Sequence, residues 1–196
     1  MRNVFVIPGA WSSRRGFKYI EQNINYRNID EFIMFKYDCD KESLTSIVNR
    51  AKRQLSELQK ETIVLGHSLG GLIALALHDE INCYKLITLA APLSGLEVPS
   101  LLEKIFALRA PILLAIGNDA PFIKNLHKQV YKKNIHSFIT TSGYNPLIFD
   151  KSDGIVTIRS QENWLPASAI STYVKCNHFE ILQRDEVIAA INRYSE

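Results

Sequence analysis

The most constraining feature of the chain is one junction. Thr62-Ile63-Val64-Leu65, an unbroken run dominated by apolar residues, leads directly into Gly66-His67-Ser68-Leu69-Gly70-Gly71, and an Ala- and Leu-rich segment then continues to about Asp79. A strand with no polar face must be covered on both sides, which calls for a sheet sandwiched between helices. The G-x-S-x-G pattern at residues 66–70 suits a chain that reverses from strand to helix within a residue or two. Such a turn puts Ser68 in a strained conformation with its hydroxyl exposed, and side chains at the flanking glycines would strike neighbouring backbone. The helix expected from Leu69 aims its amide-rich, positive end at the same spot. A glycine-rich turn of this kind could also hold a phosphate, so other residues must decide.

The rest of the chain repeats the strand and helix alternation. Val4-Phe5-Val6-Ile7 and residues 32–37 read as the first two strands, residues 86–89 as the fourth, and 135–140 and 171–174 as the fifth and sixth. Ile47, Val48, Ala51, Leu55 and Leu58 recur at helical spacing, predicting a helix over about 42–60 with Ser43 as its cap. Val187, Ile188, Ile191 and Tyr194 mark one face of a last helix. The expected architecture is an α/β fold, a three-layer α/β/α sandwich with about six mostly parallel strands. Residues 92–131 exceed one crossover helix and should hold at least two, with 107–116 read as helix, as a cap-like insertion in a single domain spanning 1–196.

Composition narrows the function. A chain of 196 residues, 46% hydrophobic and 22% charged, buries a core without needing metals or disulfides. Its net charge of +3 is spread along the chain, which gives no basis for nucleic-acid binding. Cys39, Cys83 and Cys176 are irregularly spaced and suggest neither a disulfide framework nor a zinc site, so a reducing cytoplasm fits, with no metal and no cofactor. The apolar stretch 101–117 is interrupted by Glu103, Lys104, Arg109 and Pro111, too short for a membrane span, and no secretion signal is expected ahead of the first strand. No obligate protein partner is indicated.

A serine hydroxyl needs an imidazole base, and the base needs a carboxylate to fix its tautomer. His67 adjoins Ser68, but the turn aims it away. His78 lies too far along the helix, while His127 reads as a surface residue and His136 as a strand start. His178 follows the last strand and precedes the last helix, at the carboxyl edge where parallel sheets place their sites. Two acids compete for the third role. Asp153, in Ser152-Asp153-Gly154, precedes His178 by 25 residues, room for one crossover and one strand; Asp119 precedes it by 59 and leaves the fifth strand without a natural place. The spacing favours Asp153. The amide of Leu69, and that of Ala10 in the loop Pro8-Gly9-Ala10-Trp11, are positioned to form an oxyanion hole.

With these residues in place, the chain resembles the α/β-hydrolase superfamily, and within it small single-domain bacterial lipases and esterases. The likeness rests on residues 66–70, Pro8-Gly9-Ala10-Trp11, Leu89-Ala90-Ala91-Pro92-Leu93-Ser94-Gly95, Asp153-Gly154-Ile155-Val156 and Asn177-His178-Phe179-Glu180-Ile181-Leu182. It implies Ser68 as nucleophile, Asp153 as acid, His178 as base and the Ala10 and Leu69 amides as oxyanion hole. Many relatives carry His-Gly where this chain has Pro8-Gly9, which bears on substrate preference. Gly9, Trp11, Leu69, Leu93, Leu96 and the 144–149 loop are expected to border the acyl group. The implied activity is cleavage of a small-molecule carboxylic ester through an acyl-enzyme. Thioester or amide cleavage, or ligand binding without turnover, are the alternatives.

Overall fold

Six strands form a wholly parallel sheet: β1 (Arg2–Ile7), β2 (Ile29–Met34), β3 (Thr62–His67), β4 (Cys83–Leu89), β5 (Ile135–Thr140) and β6 (Ile170–Val174), in the order β2-β1-β3-β4-β5-β6. A computed structural model of the chain describes residues 1–97, 111–129, 131 and 134–196. Side chains alternate across the sheet as strand geometry dictates. Phe5, Ile7 and Val64 enter one core layer, whereas Val4, Val6, Ile63 and Leu65 enter the other. Helices α2 (Leu44–Ser56), α3 (Leu69–Leu75) and α5 (Pro121–His127) close the first layer; α1 (Lys18–Asn23) and α7 (Asp185–Ser195) close the second. Two further helices, α4 (Pro111–Leu114) and α6 (Ile158–Glu162), lie beside the carboxyl edge.

Helix α2 follows its sequence signals closely. The Ser43 hydroxyl accepts the Ser46 N–H at 3.2 Å, and Leu44, Ile47, Val48, Ala51 and Leu55 are its buried face. It ends at Ser56 rather than near residue 60, because the Asn82 side chain takes up the Leu55 and Ser56 carbonyls at 3.2 Å each. Helix α3 likewise stops at Leu75, short of Asp79, where Leu77 and His78 N–H groups tighten the chain onto carbonyls three residues back at 3.0 and 3.2 Å.

Strand β2 lies three residues earlier than the apolar run 32–37 suggests. An edge strand buries only part of its surface, so Ile29 and Phe32 face the core while Asp30 and Glu31 face solvent, and pairing begins before the apolar run does. β4 starts three residues before Leu86, its first turn disguised by Tyr84 and Lys85; the Lys85 ammonium sits 4.2 Å over the Tyr194 ring. Within the expected insertion, α4 and α5 are the helices of the described residues, and the part of the 107–116 expectation before Pro111 lies outside them. Among the described residues no helix is long and apolar enough to cross a membrane.

Candidate active site

The turn between β3 and α3 places Ser68 at φ 54° and ψ −123°, a region costly for any residue with a side chain. The surroundings hold it there. Its N–H donates to the Leu89 carbonyl at 2.9 Å, and its own carbonyl accepts the Gly71 N–H at 2.9 Å. At Gly70 a Cβ would lie 2.0 Å from the Ile7 carbonyl oxygen, so α3 can approach β1 this closely only through glycine. Ser68 therefore stands at the carboxyl edge of the sheet, at the head of a helix whose first amides have no intrahelical partner.

His178 arrives in the loop after β6. Its backbone N–H donates to the Asp153 carbonyl at 3.1 Å, and Nδ1 donates to Asp153 Oδ2 at 2.8 Å. Both side chains are buried. Asp153 Oδ1 accepts the N–H groups of Ile155 and Val156 at 2.9 and 2.8 Å, while Oδ2 also accepts the Thr140 hydroxyl at 2.5 Å and Gln161 Nε2 at 3.4 Å. Burial pushes the carboxyl up, but the bonds from His178, Thr140 and Val156 outweigh it and hold the group below its ordinary value. An ionised Asp153 keeps the proton on Nδ1 and leaves Nε2 as the basic nitrogen. Asp119 has no part in this arrangement: its side chain is exposed and pairs with Lys124 at 3.1 Å.

His67 turns away from Ser68 into the protein. It is fully buried, its Nε2 donates to the His178 backbone carbonyl at 2.8 Å, and its ring packs 4.9 Å from that of His178 and 6.1 Å from Phe179. Burial, then repulsion from His178, pushes its pKa down to about 3, so it is a neutral structural imidazole at ordinary pH. Among the described residues Nδ1 has no hydrogen-bond partner, and it faces Gly9, where a Cβ would come within 3.0 Å of it and 3.1 Å of the Ser68 Cβ. The Pro8–Ser12 loop thus presses onto the turn through a glycine. Tyr37 donates to the Pro8 carbonyl at 2.7 Å, Ser12 N–H to the Gly9 carbonyl at 3.1 Å, and Trp11 Nε1 to Asp40 at 3.0 Å. Among the described residues, neither the Ala10 nor the Leu69 N–H finds a protein acceptor.

Gly9, Ala10, Trp11, Ser68 and His178 line one cavity of about 350 Å³. Its remaining wall is largely apolar, from Leu96, Leu113, Leu147, Ile148, Ile155 and Phe179. Leu93 is not part of that wall; it is buried in the core, where its carbonyl accepts His127 Nε2 at 2.8 Å. The Leu69 side chain is likewise in the core, beside Leu72. His127 itself is half-buried and stacked 4.6 Å from Trp164 rather than a surface group. Sequence reasoning missed Thr140 and Gln161: neither stands in a recognisable spacing to Asp153, and their approach depends on β5 and α6 lying side by side.

Comparison with solved structures decides what this arrangement of sheet, turn and loops is. The mature form of a Bacillus licheniformis lipase superposes with a TM-score of 0.69 at 17% identity, covering 99% of this chain and 91% of that one. The fold is that of the α/β hydrolases. A Clostridium acetobutylicum lipase-esterase related protein gives a TM-score of 0.65 at 11% identity, covering 98% and 94% of the two chains. An extracellular α/β-hydrolase from a Paenibacillus species gives 0.65 at 12% identity, covering 99% and 97%. No protein-family model and no curated protein sequence matches the chain. The fold assignment thus rests on three-dimensional similarity, with the G-x-S-x-G turn, the 8–12 loop and the His178 loop all at the carboxyl edge of the sheet.

Proposed function

We propose that the protein is a serine hydrolase that cleaves carboxylic esters through an acyl-enzyme. The observation that carries this reading is His178 Nδ1 at 2.8 Å from a buried Asp153 carboxylate, in a cavity shared with Ser68 at its strained turn. In this reading Ser68 Oγ attacks the ester carbonyl while His178 Nε2 takes its proton. The charge that develops on the carbonyl oxygen accepts hydrogen bonds from the Ala10 and Leu69 amides. Collapse expels the alcohol, which receives the proton from His178, and leaves the acyl group on Ser68. Water, activated by the same imidazole, then releases the acid. The apolar wall of the cavity favours an ester that carries a hydrocarbon chain. Cys39 and Cys176, both buried thiols, fit a reducing compartment.

The purified protein is expected to hydrolyse short p-nitrophenyl esters and to be labelled by a fluorophosphonate at Ser68, read by peptide mass spectrometry. Ser68→Ala should abolish both. Labelling that persists in that variant overturns the assignment, and absent labelling with tight ligand retention would instead identify a binding module.

A further inference from the structure

A second cavity of about 390 Å³ adjoins the one that contains Ser68. The two share a wall made of Leu96, Glu97, Leu147, Ile148 and Ile155. Apart from the two imidazoles, Glu97 is the sole ionisable side chain among the described lining of the catalytic cavity. In the second cavity the charged groups of the described lining are Glu97 and Asp150, again both carboxylates. No lysine or arginine lines either space among the described residues, although the chain as a whole carries a net charge of +3. The charged side chains of the described lining are thus carboxylates in a chain of net positive charge.

Apolar walls with carboxylates at the junction select a particular ligand chemistry. The walls take a hydrocarbon chain, and the carboxylates attract a positive group along it and repel a negative one. Both carboxylates are exposed, so their effect is screened and amounts to a several-fold preference rather than an absolute one. We propose that the two cavities form one bipartite substrate site, which takes an apolar chain bearing a cationic group and discriminates against anionic ones, with Glu97 as the specificity-determining residue and Asp150 reading the far chamber. This rests on the hydrolase reading for the role of the first cavity and adds the substrate class.

The test is calorimetric titration of the Ser68→Ala protein with octylammonium and with octanoate at low salt, repeated in Glu97→Gln and Asp150→Asn backgrounds. Octylammonium is expected to bind at least about fivefold more tightly than octanoate, and each added substitution should shrink that ratio by about half or more. Equal or tighter binding of octanoate, no binding of octylammonium, or a ratio untouched by Glu97→Gln overturns the proposal. A ratio untouched by Asp150→Asn alone removes the far chamber from the site. No nucleophile is present in these titrations, so their outcome is separate from that of Ser68 labelling, which tests the hydrolase reading.

Discussion

His67 directs its imidazole to the backbone carbonyl of His178, 111 residues away in sequence, and not to the hydroxyl of its neighbour Ser68. His67 thus ties the end of β3 to the loop that carries His178, the proposed base. Replacing it with Phe keeps the aromatic packing and removes the tie. His67→Phe should lower kcat for a p-nitrophenyl ester by about tenfold or more with little change in KM, since it loosens the alignment of the base rather than the pocket. An unchanged kcat would show that the carbonyl contact positions nothing.

The choice of acid is tested by two conservative substitutions. Asp153→Asn should reduce kcat on the order of 10⁴-fold, because the amide no longer holds the His178 tautomer. Asp119→Asn, which alters an exposed pair with Lys124, should leave turnover within about twofold. Steady-state kinetics of the two variants side by side discriminates them.

Thr140 donates to the same Asp153 oxygen as His178. Thr140→Val removes that donor at nearly constant volume and should raise the Asp153 carboxyl pKa, read by NMR titration of its side-chain carbon. Thr140→Ser should restore it. A purely packing role for Thr140 would lower stability without moving that titration, so the carboxyl signal is the readout that matters.

The positive φ of Ser68 is a stability cost borne for geometry. Ser68→Gly should abolish turnover and yet stabilise the fold by about 1 kcal/mol, a rise of about 3 °C in Tm for a chain of this size. Differential scanning calorimetry against Ser68→Ala, which keeps the strained φ, isolates the effect. A lower Tm for the glycine variant would mean that the turn is not strained.

Acid should destabilise the protein well before its carboxylates are neutralised. In the unfolded chain His67 gains a proton below its ordinary value of 6.5, whereas burial keeps it neutral in the folded state down to about 3. The unfolded state binds more protons through that window, so stability falls as the pH drops from about 6.5, by up to about 1.4 kcal/mol per unit from this group alone. Asp153, held below its ordinary value when folded, adds to the loss at still lower pH. Urea midpoints across this range should decline accordingly, and His67→Phe should flatten the slope between about pH 4 and 6.5.

The parts of the molecule that could be read from sequence are those governed by local rules. The α2 cap at Ser43, the strand at 135–140 and the turn at Ser68 each depend on a few neighbouring residues, and each lies where local pattern puts it. β2 and the start of β4 were displaced because sheet pairing, not apolarity, sets their limits. In the site, Ser68 and His178 occupy positions that chain order and sheet geometry prescribe. Thr140, Gln161 and the His67 tie depend on contacts between distant elements, which no short spacing encodes. Leu93 shows the converse: adjacency to the carboxyl edge in sequence did not decide which way its side chain points.

The sheet order places Ser68 at the end of a central strand and His178 just beyond β6, an edge strand that is also the last strand of the chain. Among the described strands β6 has one neighbour, β5. Ser68 and the imidazole proposed to serve it are therefore held together through every pairing from β3 to β6, and a slip of register in any one of these strands would part them.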